Sequence, residues 1–245
     1  MAEAAVKNYP RAGIHGRIVH ELGTEIGEGI LMPGDRLPGD AELTERFDAS
    51  RTAIREALKV LSSKGLIEAR QRAGTFVRPR EEWDLLDTEV LSWLSPDSIG
   101  DKLLEDLMEM REVIEPVAAR FAANRATSED VARIEAAYLR MEEASNDVRQ
   151  FFEADRDFHL AVLGACHNQF IDRMRSIVGT ILSLTFQMQS QVDADLDAGL
   201  PAHQEVLNRI QAGDRRGAEK AMRATIGQGR KNLGERMGAT PRRRR

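Results

Sequence analysis

Two small sets of side chains have the types and spacing to do chemistry. Ser50-Arg51-Thr52-Ala53-Ile54-Arg55 places two arginines four residues apart, so on a helix both project from one face. An arginine fork matches the O6 and N7 acceptors of guanine. Ser50 and Thr52 are short donors suited to phosphate at the positive end of a helix dipole. Farther along, Asp155 and His159 are also four apart and can share one metal ion. His203, at the start of another helical stretch, can supply a third ligand from across a bundle. Each set has a plainer reading. Arg51 and Arg55 can solvate an exposed helix, and Asp155 with His159 can be a surface ion pair beside an unrelated His203.

The elements around the arginines favour a nucleic-acid role. Ile14, Ile18, Leu22, Ile26 and Ile30 recur every four residues and predict a helix over 14–29. Met32-Pro33-Gly34-Asp35 is a turn, and Asp40 is placed to cap a short helix over 41–47. Ser50 caps the next helix, which turns Ala53, Ile54, Ala57, Leu58 and Leu61 inward and so leaves the arginines outward. Gly65 stops it. Strand-like runs at 66–69 and 75–77 flank a basic turn, 70–74. Helix, helix, turn, helix and hairpin make a winged helix-turn-helix. Its wing carries Arg72, suited to phosphate or a minor groove, and Gly74, which permits close backbone approach.

The segment 81–95 reads as a connecting helix with Trp83, Leu86, Val90 and Trp93 on one side, ended by Pro96. Helices follow over about 101–124, 128–144, 148–165, 170–191, 200–212 and 215–237, with Thr127-Ser128 and Gly213-Asp214 as cap signals. The expected fold class is mostly α: an N-terminal winged helix-turn-helix and a C-terminal all-α bundle. The expected division is 1–80 for DNA binding, 81–98 for a linker helix, 99–237 for the bundle and 238–245 for a basic disordered tail.

Composition agrees. A chain of 245 residues, 42% hydrophobic and 31% charged, is long enough for two cores, and 5% aromatics favours helices over a β-sandwich. The net charge of −5 argues against a generic nucleic-acid binder, but the charge is segregated. Residues 50–80 hold eight basic side chains against two acidic, 81–241 hold 18 against 29, and 242–245 are all arginine. A basic head on an acidic body is the pattern of a DNA-binding module joined to a domain of another kind. The single cysteine, Cys166, excludes an intrachain disulfide and suits a reducing cytoplasm. Neither a signal peptide nor a membrane span is expected.

The string PGDRLPGDAELTERFDASRTAIREALKVLSSKGLIEARQRAGTFV, within Ile30 to Val77, resembles the DNA-binding domain of the GntR family of bacterial transcription regulators. That resemblance implies a homodimer on double-stranded DNA carrying a pseudo-palindromic operator, contacted by Ser50, Arg51, Thr52, Arg55 and Gly74. Many relatives have a basic residue where this chain has Ala41, so a contact from that position should be missing.

MEMREVIEPVAARFAANRAT, FFEADRDFHLAVLGACHN and HQEVLNRIQAGDRRGAEKAMRATI resemble the FCD ligand-binding domain of the FadR-like branch. The resemblance implies that Asp155, His159 and His203 bind a divalent metal, zinc or nickel-like, and that Arg111 meets the carboxylate of an acidic effector. Arg111 has a plainer alternative as a surface arginine paired with Glu115. A further histidine usual in the domain is replaced by Thr225, a poor zinc ligand but a good hydrogen-bonding group. VRPREEWDLLDTEVLSWL resembles the linker of galactonate-operon repressors and points to an aldonate such as galactonate or gluconate. Thr225, Gln187, Asn168 and Thr185 are then candidates for its hydroxyls. His167 reads as a helix C-terminal cap, His15 and His20 as solvent-facing, and Cys166 as a buried inert thiol. The expected function is a repressor released from its operator by a small carboxylate. The alternative is a metal-dependent hydrolase or lyase tethered to DNA, for which no general base or oxyanion loop is evident.

Overall fold

A computed structural model describes residues 13–144, 147–189 and 197–239. Of the tail expected over 238–245, residues 238 and 239 continue the last helix, and 240–245, like the last two residues of the helix expected to end at Gln191, lie outside the described residues. The chain forms two compact units, Met1–Gly100 and Asp101–Arg245.

In the first unit, α1 (Gly13–Gly27), α2 (Asp40–Phe47) and α3 (Arg51–Ser63) precede an antiparallel hairpin of β1 (Ile67–Arg70) and β2 (Gly74–Val77). Ile18, Val19, Leu22 and Ile26 of α1 meet Leu43 and Phe47 of α2 and Ile54, Ala57 and Leu61 of α3 in a fully buried core. Each such aliphatic side chain contributes roughly 1.5–3 kcal/mol. Ile14 and Ile30, expected on the same stripe, are exposed. A repeat of four residues drifts by about 40° per step around a helix, so the ends of a long run leave the face its middle occupies. The α2 cap is Gly39, whose N–H donates to Glu42 Oε2 at 2.7 Å; Asp40 is the first helical residue rather than the cap.

The continuous linker helix expected over 81–95 does not form. The chain makes a 3-10 turn at Arg80–Glu82, then α4 (Thr88–Ser92) and α5 (Pro96–Ile99). Short polar side chains interrupt it: Asp87 accepts from the N–H groups of Glu89 and Val90, and Ser95 caps α5. Trp83, Val90 and Trp93 are buried as expected, but Leu86 is exposed. Trp93 lies against α1 and its indole N–H donates to His20 Nδ1 at 3.1 Å, so His20 is half-buried and not solvent-facing; His15 is half-buried too.

The second unit contains α6 (Asp101–Arg125), α7 (Ser128–Glu143), α8 (Val148–Ala165), α9 (Gln169–Gln189), α10 (Leu200–Gln211) and α11 (Arg215–Ala239). Thr127, Asp147 and Asp214 cap the starts of α7, α8 and α11. Helix α6 packs on α8 and α11, and α10 on α6, α7 and α11. Cys166 is buried beside Ala118, Leu163, Val178 and Leu182. Among the described residues, no helix is long and apolar enough to cross a membrane.

Candidate functional site

In the first unit, Ser50 caps α3, its side chain accepting from Ala53 N–H at 3.2 Å. Arg51, Thr52 and Arg55 are exposed on the next turns, opposite the buried Ile54, Ala57 and Leu61. Asp40 restrains Arg55, with Nε 3.4 Å from Oδ2. The tip of the wing exposes Arg72 at a positive φ of 60° and Gly74 at 110°.

One basic residue of this surface escaped the sequence reading. The stretch 34–37 runs beside β2, with Val77 N–H donating to Asp35 O and Leu37 N–H to Thr75 O, both at 2.9 Å. Arg36 is thereby held next to the wing. Its Nε would lie 2.7 Å from a Cβ added at Gly74, so the guanidinium rests on the bare glycine. The Pro-Gly-Asp turn around Arg36 gave no periodic signal from which to place it. Ala41 is exposed at the start of α2 and offers no charge.

In the second unit a polar cluster is built from three helices inside the bundle. Arg111 and Glu115, one turn apart on α6, are 5% and 1% exposed. Arg111 Nε donates to Glu115 Oε1 at 2.5 Å, and Glu115 Oε2 faces His159 Nδ1 at 2.5 Å. On α8, His159 Nε2 is 3.8 Å from Asp155 Oδ1; from α10, His203 Nε2 is 3.0 Å from the same oxygen. His203 Nδ1 lies 2.8 Å from the Gly199 carbonyl. Arg111 is therefore paired with Glu115, as its plainer reading had it, but in the interior and not at the surface.

Burial pushes both carboxyls up, yet the hydrogen bonds and charges that face them win. Glu115, beside Arg111 and His159, is lowered to about 2. Asp155, beside His203, His159 and Arg111, is also lowered to about 2. Both are ionised at neutral pH.

The hydrogen bonds fix where the imidazole protons sit. A carbonyl only accepts, so His203 Nδ1 carries a hydrogen toward Gly199 and the lone pair of the neutral ring is on Nε2. That nitrogen is buried 3.0 Å from Asp155 Oδ1, a contact that closes only when a proton or a cation lies between the two atoms. Glu115 likewise takes the Nδ1 hydrogen of His159 and leaves its Nε2 as a lone pair. With both rings neutral, two imidazole lone pairs and an ionised carboxylate converge, with their ligating atoms all within 4.8 Å of one another. This donor set fits a divalent cation, and a carboxylate behind a ligand histidine is the usual support of such a site.

The other expected residues divide. Thr225 on α11 and Thr185 on α9 are buried, with hydroxyls donating to Ala221 O and Leu182 O, each at 3.0 Å. Asn168 is half-buried. It sits at the turn before α9, where Oδ1 accepts from the N–H groups of Phe170 and Ile171, which lack partners in their own helix. Gln187 is exposed, because two residues beyond Thr185 the helix has turned by about 200°. His167 ends α8 with a positive φ of 45°, and its Nε2 also meets Asp130 at 2.7 Å. Glu115 was not singled out as a site residue. Its signal was register: Met108, Arg111, Glu115, Ala118 and Ala122 recur at helical spacing on the buried face of α6.

Comparison with known proteins places these two sites in context. Residues 14–77 match the family described as "Bacterial regulatory proteins, gntR family", and residues 106–228 match the FCD domain. The galactonate operon transcriptional repressor of Escherichia coli (strain K12) is 37% identical over 220 residues, covering 89% of this chain and 96% of that protein. The HTH-type transcriptional regulator LutR of Bacillus subtilis (strain 168) is 31% identical over 207 residues, covering 82% and 92%. The solved structure of E. coli McbR/YncC superposes with a TM-score of 0.56 at 20% identity, covering 92% of this chain and 99% of that one, a likeness of fold.

Proposed function

The chain belongs to the GntR family of bacterial transcription regulators, with an FCD domain behind its DNA-binding head, and from that premise we propose that it represses a sugar-acid operon and leaves its operator when a small carboxylate binds. The family is one of regulators rather than enzymes, so the tethered hydrolase or lyase has no support. In this reading the protein acts as a cytoplasmic homodimer on a pseudo-palindromic operator. Arg51 and Arg55 reach base edges; Ser50, Thr52, Arg36 and Arg72 meet phosphate or groove; and Gly74 keeps the wing slim enough to approach.

The observation that carries the effector half is the buried cluster of Arg111, Glu115, Asp155, His159 and His203. A bundle core does not accept five ionisable side chains without a use or full internal pairing, and the contact of His203 Nε2 with Asp155 needs a proton or a cation to close it. Asp155, His159 and His203 would hold a divalent ion, zinc or nickel-like. Such an ion would supply fixed positive charge toward an anionic ligand. Arg111 keeps its terminal nitrogens as a fork for a carboxylate while Nε is held by Glu115. Thr225 and Thr185 are the candidates for the hydroxyls of an aldonate such as galactonate or gluconate. The acid would favour the state of low operator affinity, and operator binding would weaken by the same linkage.

Operator titrations with and without each aldonate test this. Arg51→Ala should abolish operator binding and leave acid binding intact. Arg111→Ala should bind operator normally and ignore the acid. Equal operator affinity with and without every acid tried would remove the effector assignment.

A further inference from the structure

Glu115 is one carboxylate facing two donors. Oε1 takes the Nε hydrogen of Arg111 and Oε2 takes the Nδ1 hydrogen of His159, each at 2.5 Å, and the residue is 1% exposed. No solvent competes for either edge. The two partners belong to different tasks in the reading above, Arg111 to the acid and His159 to the metal. We propose that Glu115 is a positioning residue that sets both at once: it fixes the tautomer that leaves His159 Nε2 free to ligate, and it anchors the arginine that receives the acid.

The inference rests on the assignment of Asp155, His159 and His203 as metal ligands. Its physical content is the direction of two hydrogen bonds. An amide of the same shape cannot replace the carboxylate, because it has one accepting edge and one donating edge. If the amide of a Gln at this position turns its NH2 toward Arg111, two donors oppose each other and the guanidinium is displaced. If it turns its NH2 toward His159, Nδ1 must accept, the ring hydrogen moves to Nε2, and the lone pair aimed at Asp155 is lost. A guanidinium cannot become an acceptor, whereas an imidazole can exchange tautomers, so the amide turns its oxygen to Arg111 and its NH2 to His159, and the metal task is the one lost. Aspartate keeps two accepting edges but is shorter by one methylene.

The test uses the full-length protein stripped of metal, at a pH where the imidazoles are neutral. Side-chain nitrogen chemical shifts report the His159 tautomer, and titration with zinc against a chromophoric chelator reports affinity. Wild type should show the Nδ1–H tautomer. E115Q should lower zinc affinity by about 10–100-fold, as loss of such supporting carboxylates does, and should show a changed His159 tautomer. E115D should retain the Nδ1–H form. An Nε2–H tautomer in metal-free wild type overturns the proposal without any variant, so a misfolded E115Q leaves it testable. Zinc affinity in folded E115Q equal to that of wild type also overturns it. Wild-type protein that binds no zinc would sink the metal assignment instead, a separate outcome that the tautomer measurement distinguishes.

Discussion

His203 Nε2 lies 3.0 Å from Asp155 Oδ1 while the other nitrogen of the ring is engaged by the Gly199 carbonyl. A lone pair facing an ionised carboxylate needs a positive charge between them, either a proton or a metal ion. The two differ in a melting experiment. A metal that binds only the folded chain raises stability by ~2.7 kcal/mol at one hundred times its dissociation constant. We expect zinc to raise the melting temperature of the bundle, a chelator to reverse the rise, and both effects to vanish in His203→Ala. A melting temperature indifferent to zinc and chelator would assign the contact to an imidazolium–carboxylate pair alone.

The guanidinium of Arg36 resting on Gly74 predicts a thermodynamic coupling at the wing. If Arg36 neutralises one phosphate, Arg36→Ala should reduce the slope of log K against log salt by about 0.9. Gly74→Ala should do much the same, since the new methyl occupies the place of the guanidinium and the residue has a positive φ. The double substitution should then cost less than the sum of the two. An unchanged salt slope in Arg36→Ala would place this arginine off the DNA.

The helices of the second unit were legible to within about two residues because long amphipathic runs coincide with caps at Thr127 and Asp214. The linker was not. Trp83, Leu86, Val90 and Trp93 imitate a helical stripe, and a periodic pattern does not reveal that Asp87 and Ser95 will claim backbone N–H groups and break the run. Asp155, His159 and His203 could be read from spacing and resemblance together, and they converge. Glu115 could not be read as a shared acceptor, because the partner that gives it a role comes from α8, 44 residues away. Asn168 and Gln187 rest on no motif position, because a hydroxyl-rich ligand sets no spacing rule and any polar side chain nearby is an equal candidate.

The two buried carboxyls predict an acid-sensitive bundle. Glu115 and Asp155 sit at about 2 in the fold, against 4.5 and 3.8 for the free groups. Between those values the unfolded chain holds more protons than the folded one, so stability rises with pH across that window. Their contribution is complete above about pH 4.5 and is lost as pH falls toward about 2. Urea midpoints of metal-free protein should fall over this range in wild type and fall less steeply in Asp155→Asn. Parallel profiles for the two proteins would mean that Asp155 is not held ionised by its neighbours.

The packing of Trp93 against α1 predicts which glycines of this chain are structural. A Cβ on Gly27 would lie 2.3 Å from the Trp93 carbonyl oxygen, and one on Gly23 would lie 2.7 Å from the indole ring. A backbone oxygen cannot step aside as a side-chain end can, so Gly27→Ala must part α1 from the end of α4. Overpacking of this kind costs about 1–3 kcal/mol. Gly227 on α11 is the internal control, since an added Cβ there meets nothing within 4 Å. Alanine at Gly227 should be neutral or stabilising by roughly 0.5–1 kcal/mol, because it only removes the entropy cost of a helical glycine. Urea unfolding of the three proteins should therefore rank Gly227→Ala at or above wild type and Gly27→Ala below it. Because the clash lies within the first unit, Gly27→Ala should also weaken operator binding while leaving zinc affinity unchanged. A Gly27→Ala protein as stable as wild type would show that Trp93 is not seated against α1 in solution.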